Sequence, residues 1–269
     1  MREFQVLGIT LTDYSVKEAM KKVETYIRNG QVSTLCYITA SGLLEAEDHP
    51  KTKEFLEDMS LTIAADPEVL NVAGITQKSR IREIRENEFI RQFLGRIHRE
   101  NLPVCLLSDH EESLGKLEAG ILSFQSRLNI IGRFALEGAS SEDSLINDIN
   151  VLAPTIIISD LSYPAREEFY SEHHMKLHAE IWLILKHDMV LDHQSLSLWE
   201  RIRQFFSRKA LKRSVDQYNK EESAALEEEK KKEQEHTETL LKFDTQEFDT
   251  EAIEKELAAS EREKTEEKQ

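Results

Sequence analysis

Asp66 is the residue whose position in the sequence points most directly to chemistry. It follows the apolar run Leu61–Ala64 and directly precedes Pro67. A carboxylate at the end of a buried strand can act as a general base that takes a proton from a hydroxyl of a bound acceptor. The same carboxylate can instead cap a helix whose first residue is the proline. The local sequence favours the cap and leaves a catalytic role for Asp66 open.

Two hydroxyl residues lie at a comparable place after another apolar run. Thr39 ends the run of residues 35–39, and Ser41 follows it. Such side chains can orient a hydroxyl of a bound sugar, but they are equally typical of an ordinary turn. Both interpretations stay open, with the turn favoured.

The sequence contains no loop of the kind that usually cradles phosphates. The chain has 9 glycines, and none of them forms a GxGxxG or GxxxxGK[ST] pattern. A nucleotide-sugar enzyme can instead hold a diphosphate with arginines or helix N-termini. The missing glycine-rich loop therefore argues against a nucleotide site but does not exclude one. The sequence predicts no cofactor.

Histidines cluster late in the chain, where metal binding has to be considered. His174 and His178 have the i, i+4 spacing that lets two imidazoles share a metal ion on a helix. No carboxylate or cysteine pattern completes a known zinc motif. We therefore expect a solvated helix face and no metal site.

The elements that position these residues alternate short apolar runs with amphipathic stretches. The runs are residues 4–9, 35–39, 61–64, 103–107, 128–131, 155–159 and 181–185. Ser15 and Glu18 form a capping box, and Asp109 and Ser140 are further candidate helix caps. This alternation predicts an α/β fold, with a Rossmann-like, mostly parallel sheet sandwiched by helices. Ligands of such folds bind at the carboxyl ends of the strands.

The composition of the chain narrows the possible binding partners and the expected cellular compartment. The 269-residue chain has 35 Lys+Arg against 51 Asp+Glu, a formal net charge of -16, which argues against nucleic-acid binding. No apolar run approaches the roughly 20 residues of a membrane-spanning helix. Cys36 and Cys105 lie in apolar runs and are expected to be buried, reduced thiols. We expect a cytoplasmic protein, peripheral at most on the inner face of the plasma membrane.

Residues 196–213 combine large apolar side chains with bases. As a helix, this segment gathers its apolar residues on one side and its six bases on much of the rest, which suits binding to an anionic membrane surface. A helix docked on its own domain, with its basic face outside, is an equally good interpretation. The candidate membrane residues are Trp199, Ile202, Phe205, Phe206, Arg208, Lys209, Lys212 and Arg213.

The chain ends in an acidic segment that cannot form a core of its own. Residues 214–269 hold 19 acids and 9 bases, and their scattered apolar residues sustain no heptad. We expect three parts: an α/β domain over residues 1–195, a basic amphipathic helix over 196–213, and a largely disordered or solvated helical tail. The tail is a candidate docking site for a protein partner.

The order of segments over roughly residues 4–190 resembles the WecG/TagA/CpsF glycosyltransferases (glycosyltransferase family 26). These enzymes transfer an aminosugar from a UDP-sugar to a membrane-embedded polyprenyl-diphosphate sugar during synthesis of envelope polymers. In the resemblance, Thr39 and Ser41 fall on a Thr-x-Asn segment, and Asp66 falls on the proposed catalytic base of a Pro-Asp-Gly segment. The segment from Asp160 to Glu167 lies where the family has Gly-x-Gly-x-Pro-x-Gln-Glu.

Several family glycines are replaced in this chain. Asp109 stands in place of the last glycine of a Leu-Leu-Gly-Gly segment, and Asp160 and Ser162 replace both glycines of the Gly-x-Gly motif. Arg166 replaces the glutamine of that motif, and residues 185–188 replace a further glycine-rich loop. Glycine at such positions permits close approach to a ligand, so side chains there are expected to fill the nucleotide pocket.

The resemblance, with these replacements, implies a divergent glycosyltransferase-like protein of envelope polysaccharide or teichoic acid assembly. Its catalysis would be lost or altered, and it would act as a membrane-peripheral binding or regulatory partner. The alternative is an active glycosyltransferase that uses a UDP-sugar, with Asp66 as base and Thr39 beside it. Its candidate substrate-binding residues would be Ser41, Arg133, Arg166 and Glu167. A third reading is an unrelated α/β protein whose tail recruits a partner.

Overall fold

The computed structural model describes residues 2–185 and 198–244. The strands are β1 (Arg2–Val6), β2 (Ile9–Asp13), β3 (Ser33–Ile38), β4 (Leu61–Ala64), β5 (Pro103–Ser108), β6 (Asn129–Ala135), β7 (Ile156–Ser159) and β8 (Ile181–Ile184). The helices are α1 (Val16–Tyr26), α2 (Ala40–Asp48), α3 (Pro50–Glu57), α4 (Pro67–Val72), α5 (Lys78–Arg85), α6 (Glu88–Glu100), α7 (Glu111–Phe124), α8 (Glu142–Leu152), α9 (Ala165–His173) and α10 (Leu198–Asp244).

Six of the strands form one sheet in the order β4-β3-β8-β7-β5-β6, and every neighbouring pair is parallel. The residues of β3, β7 and β8 are all buried, as expected for strands covered on both faces. The predicted α/β fold with a Rossmann-like parallel sheet is therefore confirmed.

The core lies on both faces of this sheet. On one face, strand residues such as Leu35 and Leu106 pack with side chains of α1, α6 and α7. On the other face, α9 lies against β8, where the ring of Phe169 meets Trp182 edge-on at a centroid distance of 6.0 Å. The indole N–H of Trp182 donates to Ser159 Oγ at 2.8 Å, which satisfies the polar edge of the largest buried side chain.

The first apolar run is a hairpin and not a single strand. β1 and β2 pair antiparallel with Val6 opposite Ile9, outside the six-stranded sheet. The turn between them consists of Leu7 and Gly8, with φ of 52° and 70°. Positive φ at both central residues is the geometry that matches a two-residue turn to the twist of its strands. The continuous hydrophobicity of residues 4–9 concealed this turn.

The predicted helix starts had mixed outcomes. The capping box of Ser15 and Glu18 is present at the start of α1. Ser141, and not Ser140, caps α8, and the side chain of Asp109 does not cap α7, whose N-cap residue is His110. Cys36 and Cys105 are buried and free, as predicted.

The C-terminal helix is longer than the sequence indicates. α10 runs without interruption for 47 residues, from Leu198 to Asp244, across the expected boundary at residue 213. The chain divides into two compact units after Asp216. Within the first unit, Leu211 and Val215 of α10 are buried, at 0% and 6% exposure. Residues 245–269 and the replaced loop of residues 186–188 lie outside the described residues.

Candidate functional site

The connections of the sheet create a switch point at the carboxyl ends of β5 and β7, here called the switch-point crevice. β5 and β7 are neighbours, but the next strand after β5 lies on one side of the pair and the next strand after β7 lies on the other. Such a switch point is where open α/β sheets bind ligands. Both strands end in a serine that is followed by an aspartate. Ser108 ends β5 and precedes Asp109, and Ser159 ends β7 and precedes Asp160.

The carboxylate of Asp109 bridges the two sides of this crevice. Its Oδ2 accepts a hydrogen bond from the backbone N–H of Ser162 at 2.8 Å, so it fixes the loop that follows β7. Its Oδ1 is buried without a hydrogen-bond partner. Asp109 and Asp160 are 6% and 7% exposed. The crevice therefore contains two largely buried acids rather than open backbone.

Asp66 lies at the carboxyl end of β4 and interacts with the next element of the sheet. It occupies the N-cap position of α4, but its side chain makes no cap hydrogen bond there. Instead, Oδ2 of Asp66 accepts from the backbone N–H of Ala40 at 2.8 Å, at the first residue of α2. The sequence predicted that the Asp66 side chain caps α4, but it accepts a hydrogen bond at the start of α2 instead.

The structure brings the two predicted hydroxyls to the same place as Asp66. Thr39 caps α2 by accepting from the backbone N–H of Gly42 at 3.0 Å, and its Oγ1 lies 3.1 Å from Ser41 Oγ. Thr39, Ser41 and Asp66 therefore cluster around the N-terminus of α2. This end of a helix carries free N–H groups and favours negative charge.

A cation from the C-terminal helix completes this cluster. Arg208 Nη2 lies 3.8 Å from Asp66 Oδ1, and Arg208 Nε lies 3.7 Å from Glu68 Oε2. Arg208 was predicted as a membrane-binding base, but the structure places it against two acids of the α/β domain. No sequence pattern pairs Arg208 with Asp66, because the two residues are far apart in the chain.

Arg166 and Glu167 are buried together at the start of α9, at 4% exposure each. Arg166 Nη2 donates to both Glu167 and, at 3.2 Å, Glu45. Burial alone would lower the pKa of Arg166, but these carboxylates outweigh it and raise the pKa, so the guanidinium stays charged. Arg166 is thus engaged by protein carboxylates.

Arg133 does not join the other candidate site residues. It lies on β6, at the edge of the sheet opposite β4, which carries Asp66 at its end. With strands about 4.8 Å apart, these two edges are separated by roughly 24 Å. The Arg133 side chain pairs with Glu118 of α7 at 3.1 Å. Arg133 therefore lies far from Asp66, and its charge is already paired with a carboxylate of the protein.

The comparison with protein families identifies the family to which this chain belongs. The model of the Glycosyl transferase WecG/TagA/CpsF family matches residues 4–186. This chain is a member of that family. A comparison with curated proteins finds no match. The resemblance seen in the sequence is confirmed, and a glycosyltransferase-like role in cell envelope polysaccharide synthesis follows from the family.

In this WecG/TagA/CpsF chain, the predicted membrane segment is partly docked on the domain. Leu211 is buried, whereas Phe206 is 64% exposed and Lys209, Lys212 and Arg213 are exposed. The side chains of Trp199, Ile202 and Phe205 lie outside the described part of the structure. Within residues 2–185 and 198–244, every helix is too short or too polar to cross a lipid bilayer.

A buried ion-pair cluster near β4 was missed by the sequence analysis. Arg80 is 9% exposed, donates to Asp13 Oδ1 at 2.7 Å and also pairs with Glu83. Arg80 and Glu83 line a small cavity, about 20 Å³, beside the end of β4. This volume suits about one water molecule and not a sugar nucleotide. The only signal in the sequence was one arginine in a helix rich in charge.

The histidines of this region are arranged differently from the expected helix face. α9 ends at His173, so His174 and His178 do not share a helix. His173 is buried, and its Nε2 lies 2.6 Å from Glu142 Oε2. Potential metal-ligand atoms of Glu142, Glu172 and His173 all lie within 4.8 Å of one another. The carboxylates of Glu142 and Glu172 are exposed. Such a cluster is as typical of ion pairs between carboxylates and a histidine as it is of a metal site.

Proposed function

We propose that this WecG/TagA/CpsF protein acts in envelope polysaccharide assembly as a membrane-peripheral binding or regulatory partner whose sugar transfer is lost or altered. The observation that carries the proposal is the position of Asp109. Its carboxylate is buried at the switch point and bonded to Ser162 N, where the family resemblance implies a glycine-lined donor site.

The electrostatics of the crevice support the loss of donor binding. A diphosphate there would meet the carboxylates of Asp109 and Asp160, which are both buried. Two like charges about 4 Å apart repel by roughly 4 kcal/mol at the effective dielectric of a protein surface. Arg166 cannot offset this repulsion freely, because Glu45 and Glu167 already share its charge.

The membrane part of the proposal rests on the outward side of α10. Lys209, Lys212 and Arg213 are exposed together with Phe206. Bases near an anionic surface contribute about 1 kcal/mol each, and an exposed aromatic adds apolar insertion. This combination supports a peripheral site on the inner face of the plasma membrane. The acidic tail after Asp216 is proposed to be available to a protein partner.

The test of this proposal is a titration of the full-length chain with UDP and UDP-linked N-acetylated aminosugars. We expect no heat of binding and no thermal shift at about millimolar ligand, since a ligand stabilises a protein only when its site is formed. Free uridine is the control for binding of the base alone. Saturable binding of any UDP-sugar would contradict the proposed loss of the donor site.

A second candidate function is active transfer of an aminosugar from a UDP-sugar to a polyprenyl-diphosphate-linked acceptor. The observation that favours it is Arg208, which brings a cation within 3.8 Å of Asp66, beside the helix N-terminus capped by Thr39. In this function Asp66 would take the acceptor proton. Transfer that disappears in Asp66→Asn while the variant remains folded would establish it.

A further inference from the structure

The part of α10 that belongs to the second compact unit is helical although it has almost no apolar surface to bury. This unit begins at Gln217, and α10 continues through it to Asp244. From residue 219 to residue 234, every side chain whose burial the structure describes is exposed. Leu226 is the one large apolar side chain in that stretch, at 50% exposure. Within the described part of the chain, the apolar packing that supports most protein helices therefore does not hold this stretch in place.

The sequence of this stretch stabilises a helix through its charges instead. Residues 227–232 are Glu-Glu-Glu-Lys-Lys-Lys, so each glutamate precedes a lysine by three or four positions. Such pairs lie on one side of a helix and stabilise it, most strongly when the acid is on the N-terminal side. Lys232 Nζ lies 2.8 Å from Glu228 Oε1, and Gln217 Nε2 donates to Glu221 Oε1 at 2.9 Å. A helix that is polar on all sides can be stable in water when it contains many such pairs.

The exposed stretch also does not have to nucleate a helix of its own. α10 begins earlier in the chain, and Leu211 and Val215 are buried in the first compact unit, so tertiary packing fixes the turns that contain them. Once a turn is formed, each further residue adds a backbone hydrogen bond without a new nucleation cost. The sequence has neither glycine nor proline between residues 198 and 244, so nothing in it interrupts the propagation of the helix.

We propose that residues 217–244 form a rigid spacer, a single helix that is stable without a packing partner and holds its two ends at a fixed separation. At 1.5 Å per residue, this part of α10 spans about 42 Å. A flexible linker of the same length would have ends roughly 30 Å apart, with a wide spread. The spacer would set the distance between the basic turns at residues 209–213 and a protein partner on residues 245–269. That use rests on the proposed function, whereas the rigidity does not.

The rigidity is tested with spin labels on Asn219→Cys and Thr237→Cys in the full-length chain. The two positions are five helical turns apart, so the labels leave the helix on the same side with about 27 Å of axial rise between them. Cys36 and Cys105 are buried, so the introduced thiols should take the labels. We expect one narrow distance distribution by double electron–electron resonance, unchanged over a tenfold dilution of the protein. A broad distribution, or one that is narrow only at high protein concentration, would overturn the proposal.

Two neighbouring substitutions show what the rigidity depends on. Ala225→Pro removes a backbone hydrogen bond of the exposed stretch, so it should broaden the distance distribution or shift its mean, while the melting temperature of the α/β domain stays the same. Leu226→Ala removes the one large apolar side chain and should leave the distribution unchanged, because alanine is a good helix former. Equal changes in the two variants would show that apolar packing holds the helix. No change in Ala225→Pro would show that the helix does not set the distance. Either result would contradict the spacer.

Discussion

The backbone N–H of Ala40 donates a 2.8 Å hydrogen bond to Oδ2 of Asp66. This bond joins the first residue of α2 to the loop that follows β4, 26 residues later in the chain. A helix N-terminus needs acceptors for its free N–H groups, and α2 obtains them from Thr39 and from Asp66. Asp66 therefore positions α2, whether or not it acts as a base.

Replacing Asp66 should destabilise the domain through α2. We expect Asp66→Ala to lower the free energy of unfolding by about 1–2 kcal/mol, the usual cost of losing a cap. Asp66→Asn should cost less, because the amide oxygen can still accept from Ala40. Urea denaturation followed by circular dichroism measures both.

The control for Asp66 is Glu68→Ala. Glu68 is a second acid near Arg208, with Oε2 at 3.7 Å from Arg208 Nε. Because a partly exposed ion pair at 3.7 Å contributes little, this variant should stay within about 0.5 kcal/mol of the parent chain. A loss from Glu68→Ala equal to that from Asp66→Ala would assign the effect to Arg208 and not to α2.

The second prediction concerns the boundary within α10. Because Val215 is buried, the separable tail starts after Asp216 and not after residue 213. A chain ending at Asp216 should keep the melting temperature of the full-length protein. Leu211→Ala should instead lower the free energy of unfolding by about 2–5 kcal/mol, because it leaves a cavity at a fully buried site. A shortened chain that melts many degrees lower would show that the tail packs on the domain.

Local features of this fold were predictable from the sequence, and features that join distant segments were not. The capping box of Ser15 and the apolar run of each buried strand depend on residues within a few positions, so their patterns are visible. The partners of Asp66 and Asp109 lie in other loops, and a carboxylate next to a helix looks like a cap of that helix. The hydrogen bond from Ser162 to Asp109 spans 53 residues, which no local pattern encodes.

Gly132 provides a third test, because the neighbouring strand and α8 approach it closely. A Cβ at this position would lie 2.6 Å from Leu152 Cδ1 and 2.9 Å from Cys105 Sγ. Gly132→Ala should therefore cost about 1–3 kcal/mol by overpacking. Gly115→Ala, in α7 with open space around its Cβ, should stabilise by roughly 0.5–1 kcal/mol. Equal effects of the two variants in thermal unfolding would contradict the close packing at β6.

The reactivity of Cys105 should depend on pH in a defined way. The thiol is fully buried, and burial raises its pKa to about 11. In a Cys36→Ser background, a disulfide reagent should label the folded protein very slowly at pH 8 and the urea-unfolded protein at once. Burial favours the protonated thiol, so its contribution to stability is present at neutral pH and is lost as the pH rises toward 11. Fast labelling of the folded chain at pH 8 would contradict this burial.

Membrane binding provides the last prediction, and α10 contains its own control. Changing Lys209, Lys212 and Arg213 to Glu should release the full-length protein from phosphatidylserine liposomes in a flotation assay, because three bases contribute roughly 3 kcal/mol to binding. Arg208 stays unchanged, since it faces Asp66.

The control makes the same charge change farther along the helix, at residues 230–232, where three consecutive lysines are exposed. That control should still bind, because those lysines lie among acids and lack the aromatic anchor of Phe206. Equal release of both variants would show that net charge alone governs binding. If the parent chain does not bind the liposomes, the peripheral membrane site is excluded.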